Sequence, residues 1–145
     1  MTTMTNARFA EHVLKLAQSA PAFRPAVTYD PDGDCIEFIV APDAFYAERV
    51  DDLVTVYYSQ ENRKIIGSLI KGVSKFCRQM SERMAGFKIE IEDGPVRLEH
   101  LFLAKLWALN PQAKGTMAVA SYRKIYRELI NMAEQNEATV ELAGV

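Results

Sequence analysis

Cysteine and histidine are scarce in this chain, two of each in 145 residues, and neither type clusters. Cys35 and Cys77 form no CxxC pair, so neither a redox motif nor a zinc site is spelled out. An isolated thiol behaves as a small apolar residue, and a buried cysteine in a reducing compartment is the expectation for both. His12 and His100 each follow a glutamate, Glu11 and Glu99, but adjacent helix positions point apart. No nucleophile, base or phosphate loop accompanies them, so the sequence assigns no catalytic, cofactor-binding or metal residue and no cofactor is expected. Long apolar runs are missing as well. The longest, Leu101–Ala104, stops at Lys105, far short of the roughly 20 residues that a membrane-spanning helix needs. Met1–Asn6 holds no basic region followed by an apolar run, so a secretory signal is not expected. The reading is a cytoplasmic protein without a membrane partner.

An excess of one charge is lacking too: the formal charge is −2, which argues against nucleic acid as a partner. The charges are nonetheless segregated. Asp30 to Asp52 holds eight acids and one base, Arg49, whereas Leu53 to Lys88 holds seven bases against Glu61 and Glu82. Leu101 to Arg127 holds five bases and no acid. Such blocks either complement one another within the fold or face a partner of opposite charge.

What is present is ordinary apolar content, 49% of residues, arranged in two different periods. Phe9, Val13, Leu16, Ala17 and Ala20 form one stripe of a helix over 5–19, ended by Pro21 and Pro25. From 27 to 71 the period is two. Val27–Asp30, Cys35–Val40, Phe45–Val50, Leu53–Tyr58 and Lys64–Ile70 read as strands joined by short turns, hence an antiparallel β-meander. After Gly72, Val73, Phe76, Cys77, Met80 and Met84 mark a second helix closed by Gly86. Phe87, Ile89 and Ile91 alternate with charged residues and predict a half-buried strand. Helices over 96–109 and 116–135 follow, the last with the stripe Ala118, Tyr122, Ile125, Tyr126, Leu129, Ile130 and Ala133. The expectation is one α+β domain over 1–145: an N-terminal helix at 5–19, a meander at 27–71, and helix–strand–helix–helix at 73–136.

Within the meander, Tyr29-Asp-Pro-Asp-Gly-Asp-Cys-Ile-Glu-Phe-Ile, Ala47-Glu-Arg-Val-Asp-Asp-Leu-Val-Thr-Val and Arg63-Lys-Ile-Ile-Gly-Ser-Leu form a recognisable set. Over residues 27–73 the chain resembles a family of small bacterial β-meander proteins known only as a domain of unknown function. Tyr29, Asp30, Pro31, Asp34, Val54, Val56, Ile66 and Gly67 occupy the places that its members share. The resemblance implies an antitoxin-type role and supplies no catalytic residue. The chain departs from the pattern by a helix in front and roughly seventy residues behind.

Three further features bear on function. Asp30, Asp32 and Asp34 have the spacing that opens an EF-hand loop, but Cys35 stands where glycine belongs and Ala41 where the bidentate glutamate belongs. A hairpin turn with Gly33 at its bend explains them without metal. Arg123, Lys124 and Arg127 make a basic patch on the last helix, and Tyr57 and Tyr58 lie beside Arg63 and Lys64 on strands. Either would suit a nucleic-acid contact, although neighbouring strand residues face opposite sides. Finally, the helix over 96–109 is apolar nearly all round, with Leu103, Leu106 and Trp107 as candidate interface residues. It belongs either at a subunit interface or between the sheet and the last helix. The leading expectation is a non-enzymatic, self-associating interaction module, a homodimer. The alternatives are an antitoxin-like regulator binding a partner protein or nucleic acid, and a small-ligand binder or enzyme with a pocket between sheet and helices.

Overall fold

The computed structural model describes residues 6–19, 23–108 and 116–142. Along the chain lie α1 (Asn6–Ser19), β1 (Ala26–Asp30), β2 (Cys35–Ile39), β3 (Phe45–Arg49), β4 (Val54–Ser59) and β5 (Ile65–Lys71). Then follow α2 (Val73–Arg83), α3 (Ala85–Asp93), β6 (Val96–Arg97), α4 (Leu98–Ala108), α5 (Thr116–Gln135) and β7 (Thr139–Val140). The architecture is α+β. Five antiparallel strands form a meander-like sheet in the order β1-β2-β5-β4-β3, and β6 pairs with β7 in a short second ribbon.

Register explains the core. Tyr29, Ile36, Ile70 and Val54 are successive partners across four strands, and Val27, Phe38, Ser68 and Val56 form the next row on the same face. Because the side-chain period of a strand is two, both rows point to one side. There Ile36, Phe38, Val54, Val56 and Ile70 join one apolar cluster with Phe76 and Met80 of α2, Leu101 and Phe102 of α4, and Tyr126 and Leu129 of α5. The opposite face carries Ile39, Gly67 and Tyr57 in one row.

Two expectations fail here. The segment with Phe87, Ile89 and Ile91 is helical, within α3, not a strand. Phe87 and Ile91 are buried and Ile89 is 59% exposed. Two buried positions four apart satisfy a helix as well as a strand, and only the burial of the middle one separates the two. The C-terminal part therefore runs helix–helix before α4, and Gly86 lies inside α3 instead of ending α2, whose last turn closes at Met84. The first helix forms as expected, yet Phe9 of its apolar stripe is 60% exposed. Val13, Leu16, Ala17 and Ala20 lie outside the described side chains, and Leu109 lies outside the described residues.

Candidate functional site

The acidic hairpin is an anchor. Asp30 Oδ1 accepts the Asp32 N–H at 3.0 Å, a local turn closure. Asp34 Oδ1 accepts the Tyr29 hydroxyl at 3.0 Å and the Ser74 N–H at 3.0 Å, and its Oδ2 accepts the Ser74 hydroxyl at 2.6 Å. Gly72, the residue before α2, has no side chain to cap that helix, so Asp34 does so from the β1–β2 turn. The left-handed backbone falls on Asp34 itself, φ 49°, and not on Gly33. Partial burial draws the Asp34 carboxyl up, but the bonds from Ser74 and Tyr29 outweigh it and its pKa ends below the ordinary 3.8. A depressed folded-state pKa contributes stability above the unfolded value that is lost as pH falls through the folded one. Asp34→Ala should therefore cost about 1–2 kcal/mol at neutral pH, with the difference from wild type shrinking below pH 3.8. Denaturant midpoints across that range measure it, and a pH-independent difference would remove the capping role.

A second turn acid holds a longer reach. Asp51 Oδ1 accepts the N–H groups of Leu53 at 2.8 Å and Val54 at 2.7 Å. Its Oδ2 accepts the Tyr126 hydroxyl at 2.6 Å and the Tyr122 hydroxyl as well. Burial first, then the Asp51 carboxylate, push the Tyr126 phenol far above its ordinary value. Next to it, Asp52 pairs with Lys105 of α4 at 3.1 Å. The acidic block thus ties the β3–β4 turn to both α4 and α5. His100 Nδ1 lies 2.5 Å from Glu90 Oε1, a contact that joins α4 to α3. No group of three or more His, Cys, Asp or Glu among the described residues is placed to hold a metal ion. Cys77 is buried, and burial pushes its thiol up to about 12, so at neutral pH it is no nucleophile.

On α4 the sequence-proposed interface residues separate. Leu98, Leu101, Phe102 and Ala104 are buried, whereas Leu103 is 45% and Trp107 58% exposed, and Leu106 is half-buried. Leu103 and Trp107 stand four residues apart on one face. The Arg83 guanidinium lies 5.0 Å from the Trp107 ring centroid, a cation–π contact that orients the indole.

The basic patch of α5 separates too. Arg123, Lys124 and Arg127 are all exposed, but only Lys124 lines a cleft of about 640 Å³ between α5 and the β4–β5 turn, where it meets Arg63 and Lys64. Tyr58 lines the same cleft, while Tyr57 faces the other side of the sheet. Glu99 is a residue that sequence reasoning passed over. It is 7% exposed with no hydrogen-bond partner for Oε2, beside a cleft that Arg97, Glu134 and Glu137 also line. No sequence signal marks its burial beyond the apolar neighbours on α4.

No protein-family model matches the chain, no curated protein matches it, and no solved structure matches it. Asp34 and Gly67, two of the residues singled out in 27–73, have structural roles of their own: Asp34 caps α2, and Gly67 lets Tyr57 cross β5. Among the described residues no helix is long and apolar enough to cross a membrane.

Proposed function

We propose that the protein is a non-enzymatic interaction module that pairs with a second copy of itself through α4. The observation that carries this reading is the Leu103–Trp107 face, two large apolar side chains about half exposed on a helix that buries Leu98, Leu101, Phe102 and Ala104 and half-buries Leu106 and Ala108. Large aromatic and aliphatic residues on an otherwise folded surface are the usual centre of a protein contact. A two-fold pair places the same face of each chain against the other, which lets one helix supply both halves of the contact. Arg83 already holds the indole in place, so little side-chain freedom is lost on docking.

Light scattering at micromolar concentration tests it. Wild type should show twice the 16.3 kDa chain mass, and Trp107→Glu should show the chain mass with an unchanged circular dichroism spectrum. Because Trp107 is mostly exposed, the substitution has little core to disturb. A wild-type chain that stays monomeric over that range would end the proposal.

A further inference from the structure

Two features that lie sixty residues apart in sequence meet in one cleft. The β4–β5 turn supplies Arg63 and Lys64, and α5 supplies Lys124. No ion pair among the described residues involves any of these three. Glu128 is the one carboxylate on the lining, so three cations against one anion leave two positive charges. Ser121 adds a hydroxyl, and Tyr58, Ile65, Ile125 and Met132 add an apolar wall, each of these four half-buried. The helix side of the cleft is one stripe: Ser121, Lys124, Ile125, Glu128 and Met132 fall at i, i+3, i+4, i+7 and i+11.

The turn that carries the two cations is held before any ligand arrives. Ser59 Oγ accepts the N–H groups of Glu61 at 3.1 Å and Asn62 at 3.4 Å and donates to Asp43 Oδ2 at 2.7 Å. The Arg63 N–H donates to Ser59 O at 2.8 Å, and the Lys64 N–H to Asn62 Oδ1 at 2.9 Å. Arg63 itself sits at φ 61°, a left-handed backbone that a side chain other than glycine rarely adopts. Strain of this kind persists where the surroundings fix it, and it collects at ligand sites. On the other side, Tyr46 stacks on Tyr58 with ring centroids 5.5 Å apart and steadies that wall.

We propose that this cleft binds a small organic phosphate monoester. The phosphoryl group would take Arg63, Lys64 and Lys124, and the organic body would lie on Tyr58, Ile125 and Met132. A phosphate monoester carries close to two negative charges at neutral pH, which matches the two uncompensated cations, and a monocarboxylate does not. A volume of about 640 Å³ lies within the range of small-molecule sites and leaves room for more than a bare phosphate. This proposal is independent of pairing through α4.

Calorimetric titration with phenyl phosphate, inorganic phosphate and benzoate tests it. Phenyl phosphate should bind most tightly, because inorganic phosphate lacks the apolar body and benzoate lacks the second charge. Lys124→Gln and Arg63→Gln should each weaken phenyl phosphate about tenfold or more, the effect of losing one charge-assisted hydrogen bond, at unchanged melting temperature. Arg123→Gln, one residue away but outside the cleft, should bind as wild type does. Absence of binding at millimolar phenyl phosphate would overturn the proposal. So would a Lys124→Gln protein that binds normally, or inorganic phosphate binding as tightly as phenyl phosphate. Oligothymidylate that binds more tightly the longer it grows would overturn it in favour of a strand-binding surface.

Discussion

Asp51→Ala should destabilise the protein by about 2–4 kcal/mol, whereas Asp52→Ala, the neighbouring and chemically identical change, should cost about 0.5 kcal/mol or less. The two acids share one turn and differ in what depends on them. Asp51 accepts four hydrogen bonds, two from backbone N–H groups of its own turn and two from Tyr122 and Tyr126 of α5. Tyr126 is fully buried, so removing the carboxylate leaves its hydroxyl with only Tyr122, 3.3 Å away, and takes a neighbouring acceptor from the core. Asp52 makes one ion pair from a side chain that is 81% exposed, where water and salt screen most of the attraction. Tyr126→Phe separates the contributions, since it removes one donor and leaves Asp51 with its other three partners; its cost should be about 1 kcal/mol. Urea unfolding of the four proteins measures all of this. Equal losses for Asp51→Ala and Asp52→Ala would mean that the turn does not lean on α5.

The strands and helices of this chain were legible where one periodicity had no rival. Alternation in Cys35–Val40 gives the observed β2, the apolar segment Leu53–Tyr58 is β4 shifted by one residue, and the α5 stripe gives a helix with the bounds the sequence suggests. Reading failed at Phe87–Ile91, where burial every fourth residue meets both periods and Ile89 points to solvent in a helix. At the turn acids it found the turns but not what the carboxylates hold. Asp34 reaches Ser74 forty residues on, and Asp51 reaches Tyr126 seventy-five residues on. A local pattern holds no record of such partners: Asp-rich turns look alike whether or not a helix end lies above them. The basic patch shows the same limit in a helix. Arg123, Lys124 and Arg127 are one cluster in sequence, but successive helix positions turn by about 100°, and Lys124 alone shares the Ser121–Glu128 stripe. What that stripe faces depends on where the β4–β5 turn docks.

Gly67→Ala should cost about 3 kcal/mol and lower the melting temperature by roughly 10 °C, a large effect for one added methyl group. Gly67 lies on β5, the central strand, between Tyr57 of β4 and Ile39 of β2. A Cβ at this position would sit 2.2 Å from Phe38 O and 3.2 Å from Ile39 Cα, both backbone atoms of β2. Backbone cannot swing aside as a flexible side chain does, so β2 and β5 would have to part. The same absence of a side chain serves the other face of the sheet. The Tyr57 hydroxyl donates to Glu37 Oε2 at 2.9 Å, and Glu37 is on β2, so the phenol spans β5 where glycine leaves the way open. Phe45 stacks on Tyr57 at 4.3 Å and completes the cover, which leaves Tyr57 6% exposed. An aromatic ring laid across a strand glycine offsets the packing that glycine itself lacks. Tyr57→Phe keeps the ring and loses only the bond to an exposed carboxylate, so its cost should stay within about 1 kcal/mol. Thermal unfolding of the two variants separates close backbone approach from the hydrogen bond. A Gly67→Ala protein that melts with wild type would show that β2 and β5 have room to spare at this position, and the glycine would then serve the tyrosine alone.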